Sequence, residues 1–291
     1  RGESKLAIQF LDGLSKIAAT AEDAARYQRR VAEVHEAQSD ADAARSAFLR
    51  ALDHQPNDLD ALGGLNRLAR SSEDWQALVG VLTRESLLRD GEERVAIARE
   101  IAEIWETKLE DAAVAMDAWR KVLELVPGDQ TALTHLVDSA RARKEWAVFI
   151  DDGQALVHYL EGEERTELLA QMGRVSIEQL QREDEAIRFL DQASLANPPS
   201  KQAAEDLERI HAGRGAWDQV VECIVRRASA SEGEEAVTLL LRAAQTKKNQ
   251  LRDRRGAAAL YDRVLAVQAD EPTALEFKGK YLFESGDLEG A

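Results

Sequence analysis

The sequence predicts an all-α array of one unit used four times, and three observations carry the prediction. Pro56, Pro127 and Pro198 stand 71 residues apart, as do Trp75, Trp146 and Trp217, and Gly91, Gly162 and Gly233. Three residue types with different physical jobs do not share a period by chance, so the period marks a structural repeat. Arrays of this kind present long exposed faces rather than one deep pocket, which points to binding and scaffolding over catalysis.

Each unit reads as four helices. After Pro56 an amphipathic stretch runs from Asp58 to about Arg70, with Leu62, Leu65, Leu68 and Ala69 at helical spacing. The break Ser71-Ser72-Glu73-Asp74 supplies capping side chains for a second helix from Trp75 to about Arg89. Gly91, tolerant of left-handed backbone, is expected to end it. A third helix follows from Glu92 to about Lys108, and a fourth from Asp111 to Leu125, closed by Pro127. All five prolines fall at such joints, where a missing N–H is harmless. No stretch alternates as a strand would, so the chain is expected to hold about sixteen helices.

Small residues set the packing. Ala44, Ala115, Ala186 and Ala257 recur at the same period, and one turn later come Phe48, Trp119, Leu190 and Tyr261. A small residue lets a neighbouring helix approach, and the large one fills the space beside it.

These runs resemble the tetratricopeptide repeat family, a helix–turn–helix of about 34 residues. Ala44, Phe48, Ala51 and Pro56 match its small–aromatic–small–proline run, as do Ala115, Trp119, Val122 and Pro127, and Ala186, Leu190, Ala193 and Pro198. The last unit departs, with Ala269 in place of proline and Pro272 beyond it. The tryptophans fall where the family opens its second helix, with Leu288 as the fourth, and Asn66 or Val137 replaces the family's glycine. The resemblance implies an α-solenoid, a right-handed superhelix of antiparallel helix pairs. It would cover residues 1–291 as one solenoid of four double repeats. The span from Ser4 to Leu288, and packing-type residues Leu6, Ile8, Phe10, Leu11 and Leu14 at its start, predict a piece of a longer array.

Composition excludes several classes. A net charge of −16 and a pI near 4.9 argue against nucleic acid and anionic membrane surfaces, both of which need a basic face. No run approaches the roughly 20 apolar residues of a membrane span. With no signal or span the compartment stays unassigned, and the cytoplasm is the default. One cysteine, Cys223, rules out a disulfide framework and reads as an inert, partly buried thiol.

Catalytic patterns are missing. The five histidines, His35, His54, His135, His158 and His211, include no pair three or four residues apart, and His35 and His54 are expected on solvated helix ends. Gly63-Gly64 has no phosphate-loop companion, Gly213-Arg214-Gly215 reads as a turn, and Asp151-Asp152-Gly153 lacks the rest of a calcium loop. The expectation is a protein without enzymatic activity, cofactor or metal.

In the family resembled, the first helix of each pair lines a concave groove. That face maps here to Asp60, Arg67 and Arg70; to Thr131, Thr134, Asp138 and Arg141; to Glu205 and Arg209; and to Glu276 and Lys280. Each 71-residue unit then divides into a repeat of 34 residues and a longer one of 37, and the longer repeats add Gln28 and His35; Arg99, Glu103 and Glu106; Arg174 and Glu178; and Gln245 and Lys248. The candidate partner-binding residues are Arg67, Arg70, Arg99, Asp138, Arg141, Arg174, Arg209, Lys248 and Lys280. Their setting of mixed charge suits a polar or amphipathic peptide. The family's lysine–asparagine clamp for a peptide carboxylate is missing, with Gly63 and Arg67, then Thr134 and Asp138, in its places. The expected function is a scaffold or adaptor that binds a polypeptide along this groove. The alternatives are a spacer that self-associates end to end, and the regulatory part of an enzyme whose catalytic domain lies elsewhere.

Overall fold

A computed structural model describes residues 2–285, the side chains of Gly2 and Ser285 excepted; Leu288 lies outside the described residues. Those residues form sixteen α-helices and no strand. The first helices of the pairs are α2 (Ala21–Ala37), α4 (Leu59–Ser71), α6 (Gly91–Thr107), α8 (Gln130–Ala142), α10 (Gly162–Glu178), α12 (Lys201–Gly213), α14 (Gly233–Asn249) and α16 (Pro272–Ser285). The second helices are α1 (Gly2–Ile17), α3 (Ala41–His54), α5 (Trp75–Ser86), α7 (Ala112–Leu125), α9 (Trp146–Val157), α11 (Glu183–Leu195), α13 (Trp217–Ser229) and α15 (Arg254–Val267).

The period governs the joints as well as the helices. Every described residue with positive φ falls in one of three columns with a 71-residue step: Ser39, Glu110, Gln181 and Arg252; Glu73, Lys144 and Gly215; and Gly91, Gly162 and Gly233. The caps repeat too. Asp58, Asp129, Ser200 and Glu271 each accept a hydrogen bond from the backbone N–H three residues on, satisfying a donor at the start of a first helix. Asp40, Asp111 and Asp253 do the same for second helices. One expectation is corrected here. Gly91 is left-handed, but it opens α6, whereas α5 already ends at Ser86. Its φ of +57° places it where an L side chain would be strained.

The chain divides into two compact units, Arg1–Ser139 and Ala140–Ala291. In the first, Val31, Phe48, Leu62 and Leu65 form one core, and Leu78, Leu82 and Ile104 another. In the second, Ile224, Leu240, Tyr261 and Phe277 are central. The alanines at the crossings are buried, with Ala44, Ala186 and Ala257 at 0% exposure, and so are Phe48, Trp119, Leu190 and Tyr261 beside them. Each large residue meets a partner of matched size. A Cβ on Gly64 would lie 2.2 Å from the Phe48 ring, and one on Gly173 would lie 2.5 Å from Leu190. Trp119 stacks on His135 with ring centroids 4.3 Å apart, and Tyr261 packs on Phe277 at 4.6 Å. Trp75 and Trp217 pack half-buried against the cores.

Adjacent glycines in α4 give a test of this register. Gly64→Val drives branches into Phe48 and should cost about 1–3 kcal/mol in urea unfolding. Gly63→Ala, whose Cβ meets nothing within 4 Å, should instead gain up to about 1 kcal/mol from helix propensity. Equal effects from the two substitutions would show that α4 is rotated from this position.

Candidate functional site

Within each unit, polar contacts between first helices place neighbouring ones side by side. In the first unit Arg67 of α4 reaches Glu36 of α2 at 3.1 Å, and Arg70 pairs with Glu100 of α6. Arg99 of α6 donates through Nε to Asp129 at 2.9 Å. In the second unit Arg141 donates to Gln171 of α10 at 3.1 Å, and Lys201 of α12 lies 3.4 Å from Glu235 of α14. Most contacts on this face therefore run between helices, at sequence separations near 30, while Lys280–Glu276 and Arg209–Asp206 lie within one helix.

The predicted residues divide by what else they hold. Arg67, Arg70, Asp138, Arg141, Arg209, Lys248 and Lys280 are exposed, while Arg99 and Arg174 are half-buried. Arg99 is committed to Asp129, a fully buried cap of α8. Glu106 likewise accepts from the Trp119 indole at 3.1 Å and lies 2.8 Å from the His135 ring, so it orders the stacked pair. Arg174 reaches Glu167, and Lys248 lies over the Phe277 ring, 5.4 Å from its centroid. Lys280 donates to Glu276 and holds its carboxyl below the usual range.

On α2 the expected face is turned. Gln28 is buried, accepting from Arg50 Nε at 2.9 Å and donating to Asp12 at 3.1 Å. His35 is not solvated either: its side chain is 17% exposed, and Nδ1 stands 3.7 Å from Asp40, too far for a hydrogen bond. One residue of phase error on a helix is a rotation of about 100°. The residues that α2 does present beside α4 are Arg26, Arg29, Arg30 and Glu33, which the sequence reading passed over.

These side chains, with Arg67, Asp60 and Gly63, line a cleft of about 470 Å³. Arg29 bridges Asp58 and Asp60, and Arg26 pairs with Asp23 within its own helix. Arg30 is exposed and makes no ion pair with any described residue. A second basic cleft of about 480 Å³ involves α14 and α16, where Lys248, Arg252, Arg254 and Lys280 surround Phe277. Two clefts rich in cations on a chain of −16 concentrate positive potential that the rest of the surface opposes.

The family position expected to be glycine, occupied by Asn66 and Val137 in earlier repeats, is Glu208 in α12. Glu208 is buried and pairs with Arg227 of α13 at 3.1 Å and with Arg242 of α14. Arg227 also reaches Glu205 at 2.6 Å. Here a charge network ties three helices together at a position that Asn66, Val137 and Gly279 hold in the other units. Cys223, also buried, has its thiol pushed up to about 11 by burial. Among the described residues no group of three or more His, Cys, Asp or Glu could hold a metal, and no helix is long and apolar enough to cross a membrane.

No family model matches the chain, and no curated protein matches it. Solved structures do. MamA is 19% identical over 64% of this chain and 94% of its own, with a TM-score of 0.36. YrrB, described as a TPR protein with an unusual peptide-binding site, is 14% identical over 62% of this chain and 90% of its own, at 0.33. The C-terminal part of a TPR repeat-containing protein from Cytophaga hutchinsonii is 12% identical over 94% of each chain, at 0.36. All three TM-scores lie below 0.5.

Two outcomes test these assignments. Glu208→Ala leaves Arg227 and Arg242 short of a carboxylate and should cost about 1–3 kcal/mol in chemical denaturation. With a thiol pKa near 11, very little thiolate exists at pH 8, and burial blocks access to it. Ellman's reagent should therefore label Cys223 only after denaturant is added.

Proposed function

We propose that the chain is a non-enzymatic scaffold that binds a polypeptide partner across its first-helix faces, taking acidic segments at the two basic clefts. The observation that carries this reading is the cleft between α2 and α4, where Arg26, Arg29, Arg30 and Arg67 converge on a strongly acidic chain. Guanidinium groups bind carboxylates in bidentate fashion, so they suit aspartate- or glutamate-bearing segments better than ammonium groups would. Arg30 brings no intramolecular partner to be displaced, and the exposed Arg67 exchanges one carboxylate for another at small cost. The cleft beside Phe277 offers the same charge with an aromatic surface. The helical pairs supply the spacing and the side chains supply the chemistry, without cofactor.

Fluorescein-labelled hexaglutamate, hexaserine and hexalysine peptides test the reading by anisotropy. Hexaglutamate should bind most tightly and weaken as salt rises from 50 to roughly 300 mM, because exposed charge contacts are screened over about 10 Å. Replacing Arg26, Arg30 and Arg67 together with glutamate should lower hexaglutamate affinity at least tenfold while melting stays within about 0.5 kcal/mol of the parent. Equal binding of the three peptides, or full affinity in the triple variant, overturns it.

A further inference from the structure

The second-helix side holds a different kind of cleft, independent of the first-helix reading. Between α5 and α7, above α6, lies an opening of about 440 Å³. Its floor and walls are mostly apolar: Val79, Ala98, Ile101, Trp105 and Ala118, with Leu87 exposed at the rim to 72%. Its cause is visible in the repeat. The residues equivalent to Ala98 in the other units are Tyr27, Leu169 and Leu240; those equivalent to Ala118 are Ala47, Phe189 and Leu260. In the following two units Leu169 with Phe189, and Leu240 with Leu260, fill the crossing with their own buried side chains. In the unit before it, Tyr27 stands across from Ala47. Only at α6 and α7 are both positions alanine, and there Ile101 and Trp105 line the open space. The hollow that remains over Leu169 does not extend to Met172 or Phe189.

The charges around the opening are polarised. Because α6 runs antiparallel to its neighbours, Arg94 in its first turns lies level with Leu87 and with Lys121, Glu124 and Leu125 near the end of α7. Asp117 sits toward the other end. None of Arg94, Lys121, Asp117 and Glu124 makes an ion pair with any described residue. The Arg94 end therefore carries two cations against one carboxylate, beside the positive end of the α6 dipole, and the Asp117 end is negative.

We infer that this cleft is a docking site for a partner polypeptide. The partner inserts a leucine- or phenylalanine-sized side chain between Ala98 and Ala118, and places a carboxylate toward Arg94 and Lys121. The inserted group supplies the atoms that the following units draw from their own chain, and the apolar surface it covers drives the insertion. The carboxylate fixes its direction.

The test uses the full chain and labelled nonapeptides with Phe, Leu or Ser at the centre and either Glu or Lys on both sides. With 5-fluorotryptophan incorporated, the fluorine resonance of Trp105, assigned through Trp105→Phe, reports the cleft directly. Glu-flanked Phe or Leu peptides should bind and shift that resonance, with Ser-centred peptides at least tenfold weaker. The double variant Ala98→Leu/Ala118→Phe, which copies the following unit, should lose the peptide at least tenfold while its Tm rises by about 2–4 °C. Arg94→Glu/Lys121→Glu, which reverses one half-buried and one exposed charge, should turn the preference toward Lys-flanked peptides. The inference is overturned if no Phe or Leu peptide binds above the Ser control. Binding that survives the filled variant, or a filled variant with a lowered Tm, also overturns it. So does a Trp105 shift that follows protein concentration without peptide, which would make the occupant a second copy, or one produced by dodecanoate alone, which would make it a small amphiphile.

Discussion

Close approach of helices at the alanine columns is the constraint on which the rest depends. Ala44, Ala115, Ala186 and Ala257 carry almost no exposed surface, and a large neighbour one turn on must find a partner of complementary volume. The chain solves that problem differently in each unit. Phe48 is met by Gly64, Trp119 by the flat face of His135, Leu190 by Gly173 and Tyr261 by Phe277. Interiors pack at crystal-like density, so one side of such a pair cannot change size without the other. A strict period in backbone is therefore compatible with wide variation in side chains, provided the variation is paired.

The same trade explains where polar groups appear. His135 can stack on Trp119 because Glu106 stands beside both ring nitrogens. Glu208 can be buried where another unit has Val137 because two arginines neutralise it, from the adjoining second helix and the next first helix. Buried polar atoms without partners are costly, and these two departures from the apolar pattern bring their own companions, whereas Ser176 Oγ is buried without one. Arg99 belongs to this group more than to the solvent, since its main contact is the buried cap Asp129.

Much of the fold was legible because its causes are local in sequence. Prolines, tryptophans and alanines report joints and crossings at fixed spacing, and helix starts at Trp75, Trp146 and Trp217 fall where that spacing puts them. The site was less legible, and α2 shows why. Gln28 looks like a solvated polar residue, yet it is buried between Arg50 and Asp12, a pairing set by tertiary contacts with α1 and α3. With Gln28 misread as exposed, Arg26 and Arg30 were lost from the face. A signal was available: opposite charges about 30 residues apart, such as Glu36 with Arg67 and Arg70 with Glu100, mark residues on adjacent first helices. The apolar cleft is likewise encoded in Ala98 and Ala118, but becomes readable only once α6 and α7 are known to cross there.

The three left-handed columns carry a consequence for how such a chain changes length. Each left-handed joint among the described residues has a counterpart 71 residues away, so the 71-residue block is also the smallest segment that can be removed or copied without creating a new kind of left-handed corner. Excising residues 91–161 would join Asp90 to Gly162, an acidic residue to a left-handed glycine, the same junction that Asp90 makes with Gly91 and Glu161 with Gly162. A lineage lengthening or shortening this protein by recombination would meet no steric obstacle at the splice itself. Selection would act on the size-matched pairs brought face to face across it.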